Sequence, residues 1–352
     1  MFINELKSEE RMNRLISGSN IDRVPVIPHM EAFAGKVCNM GTKEYYLNPK
    51  SSYYAQVWCE EMFGYDGGIG YGIPYGFTQE FGGSIEYLEN PKLSFPKILK
   101  KPVNSCEDVE KLKIPDIKTS YVGSRILEFN KLAYKNGKNI SITAGSPMNI
   151  AHCIAGTELL MRWIIKEPDL VHKIMRVCTD YILENAKEHV NIFGAKNIGA
   201  GMSCPIECND IMSPKNFEKF SLPYITEIYD KFDEMGIRIG GIHLCGNHRK
   251  NLKYFKNDLN LKSRTLITVG TEFDMRELAK ELGEDYIIGG NLKNSLLQTG
   301  RPEEVYKEAV KMINEMKYNN GGYVLTPDCT LSYLTPSANL YAMIKASKDC
   351  KY

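Results

Sequence analysis

Arg238-Ile239-Gly240-Gly241-Ile242-His243-Leu244-Cys245-Gly246-Asn247 is a short apolar run that closes on a Gly-Asn turn signal and gives way to a helical pattern. Its length suits a buried strand better than a helix. The same unit recurs at Val24 to Met30, Ile140 to Gly145, Asn197 to Met202, Thr265 to Gly270, Asp285 to Asn291 and Gly322 to Pro327. The last three lead into helices predicted to begin near Asp274, Arg301 and Pro336. Strand-then-helix alternation predicts an α/β fold with a parallel sheet, and seven such units favour a closed (β/α)8 barrel over an open sheet. No comparable run marks an eighth strand.

Working outward, Ser213-Pro214 places a capping hydroxyl before a proline at the first helical position, and Arg301-Pro302-Glu303-Glu304 adds acids to a first turn. No low-complexity linker, charge block or solenoid repeat divides the 352 residues, so they read as one domain. Residues 64–118 differ in being rich in Gly, Tyr and Pro, beginning Gly64-Tyr65-Asp66-Gly67-Gly68-Ile69-Gly70-Tyr71-Gly72-Ile73-Pro74-Tyr75-Gly76. They are expected to form a strand-and-loop insertion over the barrel mouth.

Composition narrows the function classes. Hydrophobic residues at 43% supply a sizeable core, and a formal net charge of +1 gives no electrostatic reason to expect nucleic acid or an anionic membrane as partner. The N-terminus lacks an apolar leader and no stretch is long enough to span a bilayer, so a cytoplasmic protein is expected. Ten cysteines then read as reduced thiols. Cys38, Cys59, Cys106, Cys153, Cys178 and Cys350 stand singly, as small buried hydrophobes do.

A barrel concentrates its chemistry at the C-terminal ends of its strands. His29 and Glu31, His243 and Cys245, Asn291, and Asp328 and Cys329 all fall there. Residues two apart on an extended strand share a face, so the imidazole of His243 and the thiolate of Cys245 can share one ion. Cys329 supplies a third ligand, and three ligands leave one position open, as in catalytic zinc sites. A lone His-x-Cys is more often a core histidine beside a thiol. The Gly246-Asn247 turn and the second strand-end set, Pro327-Asp328-Cys329, shift the balance to metal, and the soft sulfur donors favour zinc.

Further candidates carry two readings each. Cys204 and Cys208 lie four apart with Glu207 between them; either the two cysteines pack beneath a loop, or Glu207 or Cys204 lines the substrate pocket or closes the zinc coordination. His29 and Glu31, expected to share a face of the first strand, would contact substrate, offer a fourth ligand or form an ordinary polar rim pair. Asp66 with Tyr65, Tyr71 and Tyr75 would wall the substrate or pack on the barrel. Glu272 and Asn291 are rim contacts or structural hydrogen-bonders.

Several segments together resemble the uroporphyrinogen decarboxylase-like superfamily over nearly the whole chain. They are Asp22-Arg23-Val24-Pro25-Val26, Gly145-Ser146-Pro147 with Gly156-Thr157-Glu158, Ser213-Pro214-x-x-Phe217-x-x-Phe220-x-x-Pro223-Tyr224, Gly290-Asn291, and Leu297-x-x-Gly300-x-Pro302-Glu303-Glu304-Val305. His243-x-Cys245-Gly246 with the distant Cys329 is similar to the zinc motif of its cobamide-dependent methyltransferases. The resemblance implies a zinc-dependent methyltransferase moving a methyl group between a small thiol, methyl ether or methylamine and a corrinoid, methylcobalamin or cob(I)alamin. That corrinoid would usually ride on a separate carrier protein, and barrels of this family often dimerise. Lysine-, asparagine- and isoleucine-rich usage suggests an AT-rich anaerobic bacterium and its one-carbon metabolism.

One departure is that an aspartate expected near position 204 is a cysteine. Another concerns authentic decarboxylases, whose first-strand loop carries arginines for the porphyrinogen's carboxylates. Here the loop reads His29-Met30-Glu31-Ala32-Phe33-Ala34, without a cation. A decarboxylase, or a non-catalytic corrinoid or tetrapyrrole binder, is the alternative.

Overall fold

The computed structural model describes residues 5–88 and 95–352. Two short antiparallel strands, β1 (Ser84–Glu86) and β2 (Lys97–Lys100), precede the main sheet. That sheet comprises β3 (Ile140–Gly145), β4 (Ile198–Ser203), β5 (Arg238–Leu244), β6 (Leu266–Val269), β7 (Ile287–Leu292) and β8 (Tyr323–Pro327). All six run parallel in sequence order, each hydrogen-bonded to the next, with helices between them. β8 is buried along its whole length, as a strand covered on both faces must be.

The helices begin where their capping chemistry says. Ser213 Oγ accepts from the Asn216 N–H (3.2 Å), Ser146 Oγ from Asn149 (3.0 Å), and Asp274 from Arg276 and Glu277. Helices at Met275–Leu282, Pro302–Met316 and Ser337–Asp349 match the predicted starts. Sequence reading passed over the single-turn Asn294–Thr299 between β7 and Pro302.

All seven predicted strand units lie in this sheet or are bridged to its edge. Val26 pairs in parallel with Leu325 of β8, and Ile27 N–H donates to the Leu325 carbonyl at 3.1 Å. Beyond it comes the Gly-rich segment: the Asp66 N–H donates to the Val26 carbonyl (2.7 Å), and burial alternates strictly from Gly68 to Ile73. Tyr65, Ile69, Tyr71 and Ile73 face the core while Gly68, Gly70 and Gly72 face open space. An extended segment thus occupies the place of the missing strand. No backbone hydrogen bond among the described residues joins it to β3. Instead the Gln56 side chain accepts from the Gly70 N–H (3.0 Å) and donates to the Gly70 carbonyl (2.8 Å), satisfying the groups a ladder would use.

A buried ion network ties these N-terminal pieces together. Arg11 forks onto both oxygens of Asp22 (2.6 and 2.7 Å) and reaches Asp66 (2.6 Å), whose other oxygen takes Arg23 (2.7 Å) and the Val26 N–H. Both oxygens of Asp66 are therefore committed to the fold, although the residue also borders the cavity that His29 and Glu31 line. Burial would raise the Asp22 carboxyl, but the Arg11 hydrogen bonds outweigh it and hold it at about 2. Of the single cysteines, Cys59, Cys153 and Cys178 are buried as expected, whereas Cys106 is exposed because it opens a surface helix. Among the described residues no helix is long and apolar enough to cross a membrane.

Candidate metal centre

His243 is the penultimate residue of β5 and Cys245 the first residue after it; Cys329 is the second residue after β8. Neighbouring strands lie about 4.8 Å apart, so β5 and β8, three positions apart, would stand about 14 Å apart on a flat sheet. Yet one ligand atom from each of His243, Cys245 and Cys329 lies within 4.8 Å of the others. The sheet must therefore curl, and its curl is what assembles the three.

The pose of His243 suits a ligand. Register places it opposite Thr268 of β6, whose hydroxyl donates to the Ile242 carbonyl (3.3 Å) and so is left to accept from His243 Nδ1–H at 2.9 Å. That fixes the tautomer with a lone pair on Nε2, which is buried and has no partner. An unpaired buried nitrogen beside two thiols is the donor set that zinc takes. The two sulfurs lie within 4.8 Å of each other. Donation from the Cys245 thiol, aided by His243, pushes the Cys329 thiol down despite its burial, and Cys245 is pushed up in return. Asn294 clamps the Cys329 loop by donating to the carbonyls of Cys329 and Thr330, both at 3.1 Å.

His29 and Glu31 reach this centre from the N-terminal segment. They do not share a strand face: pairing ends at Val26–Ile27, and the two residues sit in a turn with φ of 48° and 37°. Left-handed backbone at two non-glycine residues is costly, and it aims both side chains inward. The His29 ring lies 6.0 Å from that of His243, and its Nε2 is buried without a partner. Burial, then the neighbouring His243, lowers the His29 imidazole to about 4. Glu31 accepts from the Thr330 hydroxyl at 3.0 Å. It is reached by solvent but walled by protein, and that surrounding raises its carboxyl to about 7.

Both residues line a cavity of about 360 Å³, bounded also by Met30, Gln56, Tyr65, Gly68, Gly70, Tyr71, Gly72 and Ser141. Tyr75 lies outside it.

Cys204 and Glu207 belong to neither the three-ligand group nor the cavity. The loop after β4 folds onto the loop after β5: the His248 Nε2–H donates to the Cys204 carbonyl (2.8 Å) and Asn251 to that of Glu207 (2.8 Å). Both side chains are fully buried, and neither Glu207 carboxylate oxygen has a hydrogen-bond partner. Burial raises that carboxyl to about 7, opposed by the Ser146 hydroxyl, which stays outside hydrogen-bonding geometry.

Asn291 spends both its amide hydrogens on the carbonyls of Gly270 (2.8 Å) and Phe273 (2.9 Å), pinning the loop after β6. Glu272 is exposed at the rim, its carboxylate packed against Gly270. Asp328 accepts from the Asn294 N–H at 3.2 Å. Sequence reading missed Thr268, Asn294, Thr330 and Gln56. The first is visible only from strand register, and the rest only from how loops from opposite ends of the chain meet.

The family model described as uroporphyrinogen decarboxylase (URO-D) matches residues 7–350. Among curated relatives, methylcobamide:CoM methyltransferase MtbA of Methanosarcina acetivorans is 29% identical over 263 residues, covering 73% of this chain and 72% of its own. Uroporphyrinogen decarboxylase 2, chloroplastic, of Oryza sativa subsp. japonica is 23% identical over 259 residues, covering 71% and 63%. A solved methyltransferase from Methanosarcina mazei superposes with a TM-score of 0.80 over 98% of this chain and 99% of that one, at 20% identity. The family match and that superposition make the fold a TIM-type barrel, its hydrogen-bonded ladder open between the Gly68–Ile73 segment and β3.

Proposed function

This chain belongs to the uroporphyrinogen decarboxylase family, and on that premise we propose that it is a zinc-dependent methyltransferase exchanging a methyl group between a small molecule and a corrinoid. The observation that carries the reading is the trio of His243, Cys245 and Cys329, with Nε2 buried and unpaired. The methylcobamide:CoM methyltransferases among its relatives support it.

Zinc held by these three would keep one position for the small molecule and act as a Lewis acid, lowering the pKa of a thiol there or making a donor atom a better leaving group. The chain's own residues do the rest. Thr268 holds the His243 ring and tautomer, and Asn294 fixes the Cys329 loop. His29 stays neutral near pH 7, so it adds no positive charge beside the ligands. The Glu31 carboxylate is placed to accept the proton that an incoming thiol gives up.

In that direction the sulfur takes the methyl group from methylcobalt(III), leaving cobalt(I). In the other, cobalt(I) takes the methyl and the donor leaves with the electron pair of the broken bond. The cavity is too small for a corrinoid, which would approach from the mouth on a carrier protein. Of residues 64–118, expected as an insertion over the mouth, Gly68 to Ile73 instead form barrel wall; we read the described remainder, 74–88 and 95–118, as an insertion within a single domain. A decarboxylase acting on a polycarboxylate finds no lysine or arginine among the described residues of the cavity wall.

The test is to follow cobalamin absorbance with methylcobalamin plus thiols, and with cob(I)alamin plus methyl ethers and methylamines. The parent protein is expected to convert cobalamin with one of these partners, and Cys329→Ala to lose at least 100-fold of the rate. Equal rates in the two proteins would contradict the proposal.

A further inference from the structure

We infer that the cavity bounded by the Gly68–Gly70–Gly72 face and by His29 and Glu31 is the seat of the small methyl-group partner, and that it selects a cationic or neutral molecule over an anionic one. The inference rests on the proposed methyl-transfer reading for what the occupant does, but its geometry stands alone. At about 360 Å³ the cavity is at the low end of ligand-pocket size.

Its space comes from the sequence. Along the extended segment the three alternate positions facing it are glycines, and a Cβ at any of them would meet nothing within 4 Å. The opposite face, Ile69, Tyr71 and Ile73, packs into the core. Ordinary side chains at the glycines would fill the chamber without disturbing anything behind it.

The polar groups of the wall separate into spent and free. Tyr71 hydroxyl donates to the Tyr46 carbonyl, and Tyr65 hydroxyl to that of Gln56. The Gln56 amide is committed to Gly70, and Asp66 is neutralised by Arg11 and Arg23. Among the described residues His29 Nε2 is left without a partner, and one Glu31 oxygen accepts from Thr330. Among the described residues no lysine or arginine lines the cavity. A sulfonate or carboxylate would sit beside the Glu31 carboxylate with no cation to offset its desolvation, whereas an ammonium or a hydroxyl would find an acceptor.

Three thiols of matched length test this: cysteamine, 2-mercaptoethanol and 2-mercaptoethanesulfonate, titrated by calorimetry into the protein as purified, with zinc content measured on the same sample. Cysteamine and 2-mercaptoethanol should each bind at least tenfold more tightly than the sulfonate. Gly70→Leu should weaken both at least tenfold while zinc content and circular dichroism stay unchanged. Gly72→Val serves the same purpose where Gly70→Leu fails to fold. Sulfonate binding as tight as cysteamine, no loss of binding in the filled variants, or no binding of any thiol to zinc-containing protein would each overturn the inference. Zinc-free protein that keeps the charge order would support the cavity and remove the zinc reading. Zinc-containing protein that transfers methyl groups yet prefers the sulfonate would do the reverse.

Discussion

Thr268 has no chemistry of its own, yet its hydroxyl sets which nitrogen of His243 carries the proton. Replacing it with valine keeps the shape and removes the acceptor. Second-shell partners of this kind are worth roughly 10–100-fold in metal affinity. Thr268→Val is therefore expected to weaken zinc binding about tenfold in competition with a chelator, with unfolding unchanged; unaltered affinity would show that the ring is held by packing alone. Glu207 is the opposite case, a buried carboxyl with neither oxygen in a hydrogen bond. Its folded form binds a proton more tightly than the unfolded chain does, so its effect on stability is least unfavourable below about pH 4.5 and worsens as pH rises towards 7. Glu207→Gln should raise stability by about 3 kcal/mol at pH 8 and leave it unchanged at pH 4.5, as read by denaturant titration. A loss at pH 8 would mean that the carboxylate has a role in the fold. The ligands themselves were legible in the sequence, because two-residue spacing on a strand and a strand-end cysteine are local patterns. The partners that orient them were not, since Thr268 and Asn294 act across strands and loops whose register no single stretch encodes.

At the scale of elements, the strand missing from the sequence reading is the informative one. Glycine at every second position removes the polar half of the alternation by which a strand is recognised, leaving Ile69, Tyr71 and Ile73 to read as a loop of apolar residues. Its ladder is replaced by one side chain, Gln56, on a preceding helix. Gln56→Leu keeps the volume and strips both hydrogen bonds, leaving Gly70 N–H and C=O unpaired. This is expected to cost about 2–3 kcal/mol in denaturant unfolding and to loosen the cavity wall. A cost below about 0.5 kcal/mol would mean that Tyr65, Tyr71 and Phe129 packing alone holds the segment.

Across the whole molecule, closure of the barrel begins with ions rather than strands. Arg11, Asp22, Arg23 and Asp66 join the first helix, the Val24–Val26 segment and the Gly-rich segment in one buried network. The Asp22 carboxyl binds its proton less tightly folded than unfolded, so its contribution is full above about pH 4 and is lost as pH falls towards 2. Stability should decline by about 2 kcal/mol from this group across that window. Asp22→Asn should flatten the decline and, by leaving Arg11 with Asp66 alone as its acidic partner, cost about 2–3 kcal/mol at pH 7. A steep acid transition that persists in the variant would assign it to other carboxylates.

The same curl that lets these segments close the mouth brings the ends of β5 and β8 together around the proposed metal. Elemental mass spectrometry of the protein purified under reducing conditions, beside Cys245→Ala and Cys329→Ala, tests that proposal most directly. The expected result is about one zinc per chain in the parent and none in either variant. Parent protein that stays metal-free after zinc is supplied would contradict it.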